Sequence, residues 1–83
     1  MSDEISDEAL IKRFRASGEM RDFNDLVARH IRNVRSLIYP QVFNNADADD
    51  LTQEVFIRVI KNLDRFQGRS SFKTWLYLSL IHI

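Results

Sequence analysis

Apolar residues recur along this chain every three to four positions, the spacing that places them on one face of an α-helix. No segment alternates between apolar and polar residues with a period of two, which would favour a strand. Two glycines and one proline are the strongest interruptions of the pattern. The sequence therefore predicts an all-α fold, a small helical bundle of about four helices.

Capping signals set the expected ends of the first two helices. The first is expected over residues 7–16, with Ser6 as its N-cap and Gly18 just past its end. The second is expected over residues 22–39, because Pro40 disfavours a helical conformation for the residue before it. A longer helix with a kink at Pro40 is the alternative.

The acidic connection NNADADD precedes the third helix. Asp47 is its predicted cap. Asp49 and Asp50 would then fall in the first turn, where the helix dipole favours anions. This helix is expected to run to about residue 63.

Each of these helices has an apolar stripe that predicts its buried face. The stripe residues are Leu10, Ile11 and Phe14 in the first helix; Phe23, Leu26, Val27, His30, Ile31, Val34, Leu37 and Ile38 in the second; and Leu51, Val55, Phe56, Val59 and Leu63 in the third. His30 has no second ligand at metal spacing, so we interpret it as a packed core residue.

Composition narrows the class of protein. A chain of 83 residues is expected to form one domain, and it lacks cysteine, which excludes disulfides and thiolate metal sites. The acidic start MSDEISDEAL is unlike a secretory signal, and no run of about 18 apolar residues could span a membrane. We therefore expect a cytoplasmic protein. Twelve basic and twelve acidic residues give no net charge, so only their distribution is informative.

The side of the third helix opposite its stripe carries one apolar residue among polar ones. At 100° per residue, this side collects Asp50, Gln53, Glu54, Ile57 and Lys61. A single exposed isoleucine is common and needs no function. The alternative is a docking patch with an apolar centre and a carboxylate and amide rim, which would prefer a basic partner. The helical wheel alone leaves both open.

The loop expected over residues 64–69 is rich in cations. Arg65 and Arg69 flank Gly68, which permits a tight turn and a close approach of a ligand. An ordinary connection between two helices explains this composition as well as a surface for single-stranded nucleic acid does.

The fourth helix, capped by Ser70 or Ser71, has two distinct sides. Its predicted core residues are Phe72, Trp75 and Leu76. Lys73 and Tyr77 face outward together. This pairing of a cation with an aromatic face is typical of single-strand binding but also occurs on many other surfaces.

Three motifs at linked spacing carry a resemblance to a known family. They are DLTQEVF at residues 50–56, LDRFQG at residues 63–68 and SFKTWLY at residues 71–77. Together with LIKRFRASGEMRDFNDLVARH upstream, they closely resemble the second conserved region of the extracytoplasmic-function (ECF) group of sigma-70 factors. The resemblance implies a non-catalytic transcription initiation factor that binds RNA polymerase core and melts the promoter minus-ten element.

The resemblance also assigns site residues. In the family, the exposed face of the third helix docks on the clamp coiled coil of the polymerase β′ subunit. The matching positions are Asp50, Gln53, Glu54 and Ile57. The family loop captures a base flipped from the non-template strand of promoter DNA. The matching positions there and on the last helix are Arg65, Phe66 as a pocket wall, Gln67, Gly68, Arg69, Ser70, Lys73 and Tyr77.

No metal, cofactor or membrane partner is implied by the resemblance, whereas an anti-sigma factor is a further expected partner. A second hypothesis is a truncated helical interaction module that binds polymerase or an anti-sigma factor without recognising DNA. The two hypotheses differ in whether the loop contacts nucleic acid.

The chain departs from the family after Tyr77. The family usually continues with Arg-Ile-Ala, whereas this chain reads LSLIHI, with Leu78 in place of the arginine. One reading frame of a transposase mosaic-end sequencing adapter encodes LSLIHI. We therefore expect residues 1–77 to form the domain, residues 78–83 to be non-native, and the family's C-terminal helix-turn-helix domain to be absent from this chain. The genomic sequence downstream of Tyr77 tests this.

Overall fold

The computed structural model describes residues 5–80, and over this range the chain forms four α-helices and no strand. The helices are α1 (Asp7–Ser17), α2 (Met20–Val42), α3 (Asn45–Asn62) and α4 (Phe72–Leu80), and a 3-10 turn (Leu63–Arg65) follows α3. The predicted all-α bundle is confirmed. Within the segment expected to be non-native, residues 78–80 continue α4, and residues 81–83 lie outside the described residues.

Both ends of α1 are closed as the sequence predicts. The Ser6 hydroxyl accepts a hydrogen bond of 3.0 Å from the Ala9 amide. At the other end, Gly18 has a φ of 70°, and its amide donates to the Phe14 carbonyl at 2.7 Å. A positive φ strains other residues, so glycine suits this position. The reversal brings α2 back against α1.

The expected end of α2 at residue 39 is wrong, because Pro40 lies inside the helix. The helix continues to Val42, which packs against the core, and it ends at Phe43, whose φ is 52°. The Phe43 amide closes the last turn on the Tyr39 carbonyl at 2.8 Å. Burial of Val42 and this closing bond offset the backbone hydrogen bond that the proline removes. The alternative reading, a helix that continues through Pro40, is the correct one.

The predicted cap of α3 is also wrong. Asn44, rather than Asp47, has the extended backbone of a cap, and its side-chain oxygen accepts from the Asp47 amide at 3.0 Å. The helix therefore starts at Asn45, and Asp47 is the acidic residue of its first turn. Asp49 and Asp50 lie beyond that turn, and Asp49 binds Arg35 at 2.6 Å.

Replacing the Asn44 cap tests this correction. Asn44→Ala is expected to lower the free energy of unfolding by about 1 kcal/mol, because one amide at the start of α3 loses its acceptor. Asp47→Ala removes only a favourable charge near the helix dipole and is expected to cost about 0.5 kcal/mol. Urea denaturation of the two variants measures the difference, and a larger loss for Asp47→Ala would restore the original prediction.

The helices enclose one apolar core. α1 and α3 both pack on α2, and α4 closes the core with Phe72 and Leu76, which have no exposed surface. The buried apolar residues are Leu10, Ile11, Phe23, Leu26, Val34, Ile38, Ala48, Val55, Phe56, Val59, Leu63, Phe66, Phe72 and Leu76. The predicted stripes of α1 and α3 thus face the core, with Phe14 and Leu51 at its half-buried edge.

The stripe of α2 is only partly buried. Ile31 and Leu37 are 37% and 50% exposed, so their assignment to the core is wrong. The apolar arc of α2 is wider than the surface that α1 and α3 cover. His30 is buried as predicted, and its Nε2 lies 2.8 Å from a carboxylate oxygen of Asp7. Among residues 5–80, no helix is both long and apolar enough to cross a bilayer.

Candidate nucleic-acid interface and docking face

The loop between α3 and α4 turns at Gly68. After the 3-10 turn, the Phe66 amide donates to the Leu63 carbonyl at 3.0 Å. Gly68 then adopts a φ of 74°, and apart from Gly68 and its two chain neighbours no residue has an atom within 4 Å of the place where a Cβ would be. Glycine is therefore favoured by backbone conformation rather than by crowding. The predicted tight turn is confirmed, and the space around it is open to a ligand.

Ser71, rather than Ser70, caps α4. Its hydroxyl oxygen accepts from the Thr74 amide at 3.1 Å, and its carbonyl accepts from the Trp75 amide at the same distance. The Ser70 side chain stays exposed in the loop. The Ser70 hydroxyl donates a hydrogen bond of 3.3 Å to the Ser71 carbonyl, and its oxygen can still accept from a ligand at the rim of the loop.

The loop surrounds an open pocket of about 330 Å³. Its lining residues are Arg65, Phe66, Gln67, Arg69, Ser70 and Trp75. This volume lies at the lower end of the range of small-molecule clefts, about 300–1,000 Å³. Most of the predicted loop residues thus line one cavity, the loop pocket.

The loop pocket contains two exposed cations, Arg65 and Arg69. Within residues 5–80, neither Arg65 nor Arg69 forms an ion pair or a hydrogen bond, and both side chains are exposed. An arginine without an internal acceptor can donate several hydrogen bonds to a phosphate. The loop pocket therefore combines an aromatic wall with two cations that are available to an anionic ligand.

Phe66 forms the floor of the loop pocket rather than an exposed wall. It is 5% exposed, and its ring centroid lies 5.5 Å from that of Trp75 and 5.9 Å from that of Phe72. A ligand in the pocket would meet mainly the half-buried Trp75, which the sequence assigned to the core alone. The size of the Trp75 side chain could have indicated its partial exposure, because tryptophan is rarely buried completely.

Lys73 and Tyr77 line a second groove, away from the loop pocket. The Lys73 Nζ lies 5.8 Å from the centre of the Tyr77 ring, so the predicted outward pairing is present. Asn33, Ser36 and Leu37 of α2 form the other side of this groove, whose volume is about 380 Å³. Apart from Gly68, the predicted nucleic-acid residues therefore line two distinct surfaces, the loop pocket and this groove.

The predicted docking residues lie together on the outer face of α3. Asp50, Gln53, Glu54 and Ile57 are all exposed, and Ile57 is 48% exposed. Glu54 lies 3.6 Å from Arg58, one turn along the helix. Such an exposed pair contributes little to stability, so Glu54 is free to exchange partners.

Ile57 is part of a larger apolar surface that the sequence did not reveal. It borders an open groove of about 320 Å³ between α2 and α3. The groove is lined by Met20, Phe23, Asn24, Val27, Ile31, Gln53, Phe56, Ile57 and Ile60. The sequence could have indicated this groove, because α2 has more apolar residues than the core buries. We call the groove and the exposed residues of α3 the docking face.

Titratable residues do not assemble into a metal site in the described part of the chain. Across residues 5–80, no group of three or more His, Asp or Glu side chains could hold a metal ion. The pair of His30 and Asp7 lies within the helix packing instead.

The fold and its two surfaces define the class of protein as a helical binding region. It is an all-α unit with a cationic loop pocket at one end of α3 and an apolar groove along the side of that helix. The family model for sigma-70 region 2 matches residues 26–82. The chain belongs to this family.

Sequence similarity to individual sigma factors agrees with this family assignment. The chain is 40% identical over 77 residues to the ECF RNA polymerase sigma-E factors of Escherichia coli K12 and Shigella flexneri. It is 38% identical over the same length to that of Haemophilus influenzae. These matches cover 93% of this chain but only 39% to 40% of each relative. The chain thus spans about two fifths of the length of these relatives.

A solved structure has the same fold. It is the NMR structure of an engineered region 2 of sigmaE in complex with GTAAAA. The TM-score is 0.86 at 35% identity, over 99% of this chain and 84% of that chain. The helical arrangement described above is therefore that of sigma region 2.

Proposed function

We propose that this chain is the promoter-melting module of an ECF sigma factor, a non-catalytic initiation factor that acts in the cytoplasm. The docking face binds the clamp coiled coil of the polymerase β′ subunit. The loop pocket receives a base from the non-template strand of the minus-ten element. The observation that carries this proposal is the loop pocket, which is lined by Arg65, Arg69 and the aromatic side chain of Trp75.

Two findings support binding of a single strand. The cations of the loop pocket have no partner among the described residues, so they are available to phosphates on either side of a captured base. The similar sigmaE region was solved in complex with GTAAAA. Lys73 and Tyr77 extend the charged and aromatic surface onto α4 and give the strand a second contact.

Energies explain why the module needs polymerase. Opening duplex DNA costs about 1.4 kcal/mol for each stacked step. A base stacked on an aromatic side chain returns roughly 1–3 kcal/mol. One pocket can therefore trap a base that has left the helix, but it cannot hold several opened pairs. Holding several opened pairs therefore needs further contacts from the polymerase, to which the docking face joins the module.

Removal of a phosphate-binding cation tests the proposal. In a complex of this chain with polymerase core, Arg69→Ala and Lys73→Ala are each expected to weaken binding of a minus-ten single strand. Each should also reduce the slope of log K against log salt by about 0.7, the contribution of one phosphate contact. Fluorescence anisotropy of a labelled strand at several salt concentrations measures both quantities.

Arg21→Ala is the matched control, because Arg21 is an exposed cation paired with Glu19 on the N-terminal turn of α2. It should leave the affinity and the slope unchanged. If Arg69→Ala and Lys73→Ala behave like this control, the chain binds polymerase without engaging DNA, and the function is that of an interaction module.

A further inference from the structure

Arg15 of α1 reaches the start of the loop. Its guanidinium donates hydrogen bonds to the carbonyl of Leu63 and, at 2.7 Å, to that of Phe66. These carbonyls follow the last residue of α3, and the Leu63 carbonyl accepts from the Phe66 amide as well as from Arg15. One cation therefore binds both ends of the short turn that leads into the loop pocket.

Glu8 of the same helix reaches the far end of the loop. Its Oε2 accepts a hydrogen bond of 2.9 Å from the amide of Phe72, the first residue of α4. A carboxylate at this place satisfies an amide without a helical partner and interacts favourably with the helix dipole. The loop is thus held at its start by a cation and at its end by an anion.

Asp7 and His30 support the second of these contacts. Asp7 lies 2.8 Å from His30 and 3.3 Å from Arg29, which joins the start of α1 to α2. The His30 ring meets the Phe72 ring edge-on at a centroid distance of 5.5 Å. The first turn of α1 is therefore fixed beside the residue that Glu8 caps.

We propose that Arg15 and Glu8 are positioning residues for nucleobase capture, which hold the loop pocket open before a strand arrives. This inference rests on the proposed function of the loop. A loop that must become ordered on binding loses affinity, whereas one that is already ordered does not. Neither residue lines the loop pocket, and the Arg15 guanidinium is directed at carbonyls behind it. Both act through the loop backbone.

The test compares Arg15→Gln with Lys12→Gln. Lys12 is an exposed cation on the same helix and has no partner among the described residues, so both variants lose one charge but only one loses the contacts. In the complex with polymerase core, Arg15→Gln is expected to bind a minus-ten single strand roughly tenfold more weakly, the effect of losing hydrogen bonds from a charged group. Lys12→Gln should bind like the unchanged chain.

Salt dependence separates positioning from direct contact. Because Arg15 does not touch the strand, Arg15→Gln should leave the slope of log K against log salt unchanged. A fall in that slope by about 0.7 would identify Arg15 as a phosphate ligand and overturn the proposal. An affinity equal to that of Lys12→Gln would overturn it as well.

Trp75 provides a measurement that needs no DNA. It is the only tryptophan of the chain and lines the loop pocket. In the chain alone, Arg15→Gln and Glu8→Ala are expected to increase quenching of its fluorescence by acrylamide, while helix content by circular dichroism stays the same. Unchanged quenching in both variants would overturn the proposal.

Two further outcomes are distinguishable. Arg15→Lys keeps the charge and can reach one carbonyl. Its strand affinity should therefore lie between those of the unchanged chain and Arg15→Gln. If Arg15→Gln does not fold, Arg15→Lys replaces it in the comparison with Lys12→Gln. If the unchanged chain bound no strand, the proposed function would fail, whereas the quenching of Trp75 would still decide whether α1 positions the loop.

Discussion

Replacing Phe72 with alanine is expected to destabilise the fold by about 3–5 kcal/mol. Phe72 has no exposed surface, and its ring contacts those of His30, Phe66 and Trp75 at centroid distances of 5.5 to 5.9 Å. Its removal leaves a cavity where α4 and the loop meet the core. Small domains have a free energy of unfolding of about 5–15 kcal/mol, so a large share of the stability would be lost.

The matched control is Phe43→Ala, the same substitution at a side chain that is 78% exposed. It should lower the free energy of unfolding by less than about 1 kcal/mol, because little buried surface is lost. Urea denaturation followed by circular dichroism measures both values. Equal shifts of the two midpoints would mean that Phe72 is not the closing residue of the core.

A charge at the centre of the docking face is expected to abolish most of the affinity for polymerase core. Ile57→Glu should weaken binding by about 2 kcal/mol, roughly 30-fold, because a carboxylate would be desolvated where an apolar side chain now borders the groove. The double substitution Gln53→Ala with Glu54→Ala should weaken binding to a smaller extent, since these residues form the polar rim.

Leu37→Glu provides the comparison, because Leu37 is 50% exposed and lies outside the docking face. It introduces the same charge at a site of nearly equal exposure. Surface plasmon resonance with immobilised polymerase core separates the variants. If Ile57→Glu bound as well as Leu37→Glu, Ile57 would be an ordinary surface residue, which is the simpler interpretation of the helical wheel.

Local signals predicted the helices well. The capping residues Ser6 and Gly18 form hydrogen bonds with residues three or four positions away. Both ends of α1 are therefore where the sequence indicates. Pro40 was misleading because the burial of Val42, a tertiary contact, outweighs a local preference. The cap of α3 was misplaced because NNADADD contains several competent caps, and backbone conformation alone selects Asn44.

The exposure of candidate site residues on α3 was predictable, because it follows from helical periodicity. Ile57 and its polar neighbours lie outward as the 100° rotation requires. Ile31 borders the same groove, but its spacing could not distinguish the core from an uncovered apolar surface. The contacts of Arg15 with Leu63 and Phe66 join residues 48 and 51 positions apart, and no periodic pattern encodes such pairs.

α3 carries the docking face on its side and leads directly into the loop at its end. Ile57 lies five residues before the last residue of α3, about 7.5 Å along the helix axis. A rigid rod of this length transmits tilt without bending. A partner that tilts α3 by a small angle would therefore change the orientation of the loop pocket. Binding at the docking face and the direction in which the loop pocket opens are thus mechanically coupled.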